Sequence, residues 1–445
     1  MTSFDLILKG GTAVTPSGTG KADIGVRDGR ITAIGDLDPS RAAEVIDCTG
    51  LHVLPGVIDT QVHFREPGNE HKEDLHSGSK AALLGGVTAV FEMPNTRPAT
   101  TTAGAVADKL NRAERMYCDH AFYVGATAEN IADLPRLERL PGVCGVKVFM
   151  GSSTGDLLVH DDATLARVLA AITRRAAFHS EDEERLLARQ NERVAGDPSS
   201  HPVWRDVETA RRSTERLLKL ARAAGKRIHV LHVTTADELP LLAAARDIAS
   251  VEVTPHHLSM AAPDCYERLG TYAQMNPPVR GAAHREALWR AVRSGLVDVL
   301  GSDHAPHTRE EKDRPYPDSP SGMPGVQTLV PVMLDHVNAG RLTLQRFVDL
   351  MSHAPQRLFQ IAAKGRIAEG YDADFTIVDL KARRTITNDW IVSKCGWTPY
   401  DGMTVTGWPT GAIIRGRRVM WEDEIIGEPA GRPLRFLDTL TPREG

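Results

Sequence analysis

Cysteine is scarce in this chain: five residues, Cys48, Cys118, Cys144, Cys265 and Cys395, among 445. They are scattered, odd in number and never spaced as Cys-x-x-Cys. That favours reduced thiols in a cytoplasmic protein over a disulfide framework or a thiolate zinc site. Long apolar runs are missing too, so no membrane span is expected. Met1 to Gly11 has neither a basic n-region nor a long apolar stretch, and no secretory signal is expected. Charge of one sign is not in excess: 53 Lys and Arg against 58 Asp and Glu leave a formal net charge of -5. This gives no electrostatic case for nucleic acid or an anionic membrane as partner. No Gly-x-Gly-x-x-Gly follows the first strand of the central region, which argues against dinucleotide binding. Gly151-Ser152-Ser153-Thr154-Gly155 lacks the lysine of a phosphate-binding loop. It reads instead as a flexible loop within reach of substrate.

What is present is ordinary in bulk and unusual in arrangement. Hydrophobic residues at 41% and charged residues at 25% fit a soluble globular protein. The length suits a large α/β barrel with a smaller appended domain. Short β-prone runs at 4–8, 24–27 and 31–34, the last two joined by Asp28-Gly29, return in kind at 374–378, 413–414 and 418–421. Residues 1–54 and 363–445 are therefore expected to form one composite β-sandwich domain. Between them, across 55–362, eight apolar β-rich runs alternate with helical patterns: 57–63, 87–93, 118–124, 143–149, 176–179, 228–233, 251–254 and 297–302. That alternation predicts a parallel sheet closed into a (β/α)8 TIM barrel; an open doubly wound sheet is the alternative.

A barrel of this kind carries its active site at the carboxyl ends of its strands. Val57-Ile58-Asp59-Thr60-Gln61-Val62-His63-Phe64-Arg65 runs into a Glu-Pro-Gly turn, with Asp59, Gln61, His63 and Arg65 at alternate positions on one expected strand face. The second strand runs into Met93-Pro94-Asn95-Thr96 and the fourth carries Lys147. The fifth and sixth end in His179 and His232, and the eighth runs into Ser302-Asp303-His304-Ala305-Pro306-His307. Three histidines, a lysine and an aspartate would meet at one mouth, where imidazoles and a carboxylate suit zinc or a similar divalent ion. Lys147 cannot ligate as an ammonium, but burial can make it a neutral amine. Such an amine can form a Schiff base or add carbon dioxide to become an anionic carbamate that bridges two metals. The surrounding histidines favour the carbamate. His256-His257 reads as packing rather than ligation, and Thr308–Asp318 as an exposed loop over the mouth that is either an inert connection or a lid.

These segments together resemble the cyclic amidohydrolases of the amidohydrolase superfamily, and within them the dihydroorotases. The likeness is carried by His63-Phe64-Arg65-Glu66-Pro67-Gly68, His71-Lys72-Glu73-Asp74, Met93-Pro94-Asn95-Thr96, Gly145-Val146-Lys147-Val148-Phe149, His232-Val233-Thr234, Met275-Asn276-Pro277-Pro278 and Ser302-Asp303-His304-Ala305-Pro306-His307. The resemblance implies reversible, zinc-dependent cyclisation of N-carbamoyl-L-aspartate to L-dihydroorotate, a step of pyrimidine biosynthesis. It implies one ion held by His63, carbamylated Lys147 and Asp303, and another by carbamylated Lys147, His179 and His232. Asp303 would move the proton between water and the departing ring nitrogen. Arg65, Asn95 and His307 would bind the substrate carboxylate, and Asn276 the ring amide. Allantoinase and dihydropyrimidinase are similar in fold and metal site. Metal-free dihydroorotase-like partners of aspartate transcarbamoylase form another relative, expected to lack several ligands; an aspartate transcarbamoylase partner, or a homo-oligomer, is what the resemblance implies for assembly. One position departs from the family pattern: Gln61 stands where the usual His-x-His opening has its first histidine, and an amide oxygen is a weaker zinc ligand than imidazole.

Overall fold

A computed structural model describes residues 3–153 and 157–440. Eight parallel strands form its centre: β1 (Val57–Val62), β2 (Val87–Glu92), β3 (Asp119–Gly125), β4 (Val143–Phe149), β5 (Ala176–His179), β6 (Ile228–Val230), β7 (Ala249–Val253) and β8 (Val299–Leu300). They pair in sequence order. Every residue of these strands is buried, as expected of strands covered on both faces, which is why they read as near-continuous apolar runs. The seam closes just beyond β1 and β8, where the His63 amide donates to the His304 carbonyl at 2.7 Å. The sheet is thus a nearly closed barrel rather than an open doubly wound one.

The helices between strands begin where the sequence supplies a cap. Asp74 accepts from the Ser77 amide at the start of Leu75–Leu84, and Asp206 from the Thr209 amide at the start of Val207–Ala223. Each satisfies an amide that the first turn cannot pair. Val207–Ala223 buries Ala210, Ser213, Leu217, Leu218 and Ala221 along one face, the stripe a barrel's outer ring requires.

The two ends of the chain do build one β domain. Phe375–Thr385 pairs antiparallel with His52–Pro55 and with Thr404–Ile414 inside a seven-stranded sheet. A four-stranded sheet contains Phe4–Lys9, Asp23–Arg27, Arg30–Gly35 and Ala42–Asp47. Leu6, Leu8, Ile24 and Val26 pack in one core with Val53, Phe375, Ile377 and Ile413.

Three local expectations need correction or restriction. β1 ends at Val62, so His63 and Arg65 stand on the turn after the strand instead of alternating along it. The Phe64 amide leaves the ladder for Glu92 Oε2 at 2.7 Å, and Arg65 takes φ +65°. The stretch after Thr308 is not simply an exposed loop. It holds a short helix, Arg309–Lys312, and buries Lys312 and Tyr316; Lys312 Nζ donates to Pro320 O at 2.8 Å and Gln274 O at 3.3 Å. Of the expected loop at 151–155, Thr154 and Gly155 lie outside the described residues. Among the described residues no helix is long and apolar enough to cross a membrane.

Candidate active site

The mouth of the barrel gathers the strand-end residues that the sequence singles out. Gln61, His63, Arg65, Asn95, Lys147, His179, His232, Asn276 and Asp303 line one cavity. His307 stands against Arg65, Nε2 to Nη2 3.3 Å. Two donor pairs line the cavity. His63 Nε2 lies 3.3 Å from Asp303 Oδ1, while His179 Nδ1 lies 3.1 Å from His232 Nε2. The fourth strand brings Lys147 to the same cavity, 1% exposed. Its Nζ makes no hydrogen bond or ion pair with any described residue and sits 4.5 Å from the centre of the Phe149 ring. An unpaired ammonium in such a place is costly. Burial pushes Lys147 down to about 7, against the opposing pull of Asp303 and Glu252.

Burial also holds the imidazoles neutral, the form that can ligate a cation. His63 is pushed down to about 4 by desolvation, which outweighs Asp303. His232 falls well below its ordinary value through desolvation and the neighbouring His179 and Lys147. Desolvation lowers His179 too, against Glu181.

Known proteins share the sequence pattern and the fold that carry this cavity. A model of the amidohydrolase family matches residues 52–419. The chain belongs to the amidohydrolase family. A dihydroorotase of Halobacterium salinarum is 39% identical over 391 residues, covering 86% of this chain and 89% of that protein. A dihydroorotase of Methanothermobacter thermautotrophicus is 36% identical over 414 residues, covering 91% and 92%. Among solved structures, the L-hydantoinase (dihydropyrimidinase) of Arthrobacter aurescens superposes with a TM-score of 0.91 at 31% identity, covering 97% of this chain and all of that one. Within the family this amidohydrolase is a cyclic amidohydrolase.

The donor set of this amidohydrolase fits a divalent cation through an unconventional third ligand. Among the described residues no group of three or more His, Cys, Asp and Glu is placed to hold a metal ion. Each pair supplies two donors, and of the other side chains lining the cavity Lys147 is the one that can become an anion. As a carbamate it would give both pairs a third ligand and remove the uncompensated cation.

Several neighbours escaped the sequence reading. Glu181 accepts from His179 Nε2 at 2.8 Å and is gripped by Arg205 Nη2 at 2.6 Å. Burial opposes the charged form of Glu181, yet Arg205 and His179 hold its carboxyl well below the usual range. This orients the His179 ring, leaving its Nδ1 lone pair toward His232. Glu181 lies two residues past a flagged strand end and was findable; Arg205, a long loop away, was not. Lys72 Nζ approaches His307 Nδ1 at 3.2 Å and Glu311 Oε1 at 2.9 Å, tying the stretch after His307 to the loop after β1. Gly322 also lines the mouth. Its φ is +146°, and a Cβ there would meet His307 Cδ2 at 3.0 Å, so glycine lets the chain pass close. His256 and His257 do pack: His256 stacks on Tyr400, ring centres 5.5 Å apart, and His257 Nε2 bonds to Pro277 O at 3.0 Å.

Proposed function

We propose that this amidohydrolase is a zinc-dependent dihydroorotase that interconverts L-dihydroorotate and N-carbamoyl-L-aspartate in pyrimidine biosynthesis. The observation that carries the reading is Arg65, a 3%-exposed guanidinium lining the same cavity as His63 and Asp303. Its Nε donates to Pro306 O at 3.1 Å, which fixes the plane, and its Nη1 makes no hydrogen bond with a described residue. A guanidinium so held presents a fork that matches a substrate carboxylate. Dihydroorotate carries such a carboxylate; plain hydantoins and dihydropyrimidines do not.

Each residue then has a defined duty. The carbamate of Lys147 would hold a cation with His179 and His232, and the same carbamate would complete a weaker second place beside His63 and Asp303. When bound, the cation supplies a nucleophile from water near neutral pH and polarises the ring carbonyl. Asp303 accepts a proton at Oδ1 or Oδ2 and delivers it to the departing ring nitrogen. Arg65, with Asn95 and His307 beside it, binds the substrate carboxylate. Asn276, whose Oδ1 already accepts from His201 Nε2 at 3.0 Å, keeps its amide N–H groups for the ring amide. The hydrophobic wall of Phe149 against Lys147 keeps bulk water from the amine.

A second reading is a hydantoinase, favoured by the close superposition with the Arthrobacter L-hydantoinase. Ring opening of L-dihydroorotate compared with unsubstituted hydantoin and dihydrouracil separates the two. Preference for dihydroorotate by about a hundredfold or more in kcat/KM is expected, since each of the two hydrogen bonds a guanidinium fork makes to a carboxylate contributes about 1.5–3 kcal/mol. Equal turnover of the uncharged rings would replace the dihydroorotase reading with the hydantoinase one.

A further inference from the structure

The two donor pairs at the mouth are not equivalent. His179 and His232 face each other directly, and the Glu181 contact on His179 Nε2 leaves the Nδ1 lone pair available. At His63 and Asp303 a third group intervenes. Gln61 Nε2 donates to Asp303 Oδ1 at 2.9 Å, the same oxygen that faces His63 Nε2. A carboxylate only accepts, so the amide must keep its nitrogen, not its oxygen, against Asp303. Gln61 is 1% exposed, and its Oε1 is buried without a hydrogen-bond partner among the described residues. To share a cation with Asp303 the amide would have to place oxygen where nitrogen now sits. It would lose its one side-chain hydrogen bond and offer a neutral oxygen in place of an imidazole.

Gln61 is also tied to the segment that carries Asp303. Its amide and that of Ser302 both donate to Asp59 Oδ1, at 3.2 and 3.0 Å. Ser302 Oγ donates to the Gln61 carbonyl at 3.3 Å. Asp303 itself sits at φ +48°, a left-handed conformation that a non-glycine residue keeps only when its surroundings hold it. We infer that Gln61 is a positioning residue and not a metal ligand. It fixes the Asp303 carboxylate as a proton acceptor and leaves this chain with a single tightly held cation, at Lys147, His179 and His232.

The inference rests on the metal-dependent reading above, and its test distinguishes the two. The full chain, purified with bicarbonate and dialysed against buffered low free zinc, is analysed for zinc by mass spectrometry. About one zinc per chain is expected for the native protein and about two for Gln61→His, which restores an imidazole donor at that pair. Two retained zinc ions in the native chain, or an unchanged content in Gln61→His, overturns the inference while leaving the enzymatic reading intact. No zinc together with no ring opening removes the earlier reading and this one with it. Gln61→Ala removes the donor without adding a ligand. It should keep its zinc and lose about tenfold in kcat at unchanged KM, the usual scale for a group that orients a reacting residue. Full activity, or a loss that merely tracks lost zinc, overturns the positioning role.

Discussion

Two buried lysines at opposite ends of the barrel show how the same side chain becomes structure in one place and chemistry in another. Lys364, 6% exposed, sits where the β domain meets the barrel floor. It pairs with Asp119 at 2.6 Å, Asp372 at 3.4 Å and Asp374, while Arg415 also grips Asp119. Burial works against its charge, but Asp119, Asp374 and Asp372 more than compensate and raise its pKa. Lys147, at the mouth, is also buried and has no hydrogen-bond or ion-pair partner among the described residues, and its pKa falls to about 7. A buried cation with its counter-charges in place is a fastener. One without them is held ready to become something else.

The sharpest way to break this comparison is to give both positions the same neutral side chain. Lys147→Met should cost about a thousandfold or more in ring opening, the scale of removing a group on which metal activation of water depends. Its unfolding free energy should stay within about 1.5 kcal/mol of native, because a volume-conserving swap removes no ion pair. Lys147→Ala, assayed with short carboxylic acids that can stand in for the carbamate, should recover part of the activity. Native turnover in either variant removes Lys147 from metal binding.

Lys364→Met should do the reverse. Stripping the cation from buried carboxylates costs about 3–5 kcal/mol, read as a lowered midpoint in urea, while kcat per folded molecule survives. If instead Lys364→Met is as stable as native and Lys147→Met unfolds, the assignment of fastener and reactive group is the wrong way round.

A smaller change is expected at Arg65. Arg65→Lys keeps the charge and loses the fork, so KM for dihydroorotate should rise about ten- to a hundredfold with a lesser change in kcat. An unaltered KM would remove Arg65 from carboxylate binding.

The mildest contrast concerns burial and sign. Desolvation favours the neutral form of any group; it turns Lys147 into a nucleophile but does the opposite to thiols. All five cysteines are buried, and burial pushes Cys48 and Cys265 up to about 12. Since the thiolate is the reactive form and lies above pH 8 here, alkylation of the native protein at pH 8 should run at least about tenfold slower than that of free cysteine. Rapid labelling of the folded chain would contradict that.

Much of the site was legible because a barrel's function lies at strand ends, and strand ends can be read from where apolar runs stop. His63, Lys147, His179, His232 and Asp303 each stand at or within two residues of the end of such a run, or follow it, and the structure brings them to one cavity. The composite β domain was legible from turn chemistry at both termini. Less legible was whatever depended on the backbone leaving a ladder. The exit of Phe64 toward Glu92 moved His63 and Arg65 off the strand, and the burial of Lys312 turned an apparently solvated charged loop into a packed one. Arg205, far from any strand end, carries no local mark of its place beside Glu181.

The sequence by itself determined the alternation of strand and helix, the membership of the mouth and the presence of an amine among imidazoles, because these depend on periodicity and on residue type. Only the tertiary structure decided which charges found partners. Whether Lys147 lacks a described partner while Lys364 meets Asp119, and whether Gln61 turns its nitrogen to Asp303, depends on groups far apart in the chain. Electrostatic free energy is set by distance and desolvation in the folded chain, which no local pattern encodes.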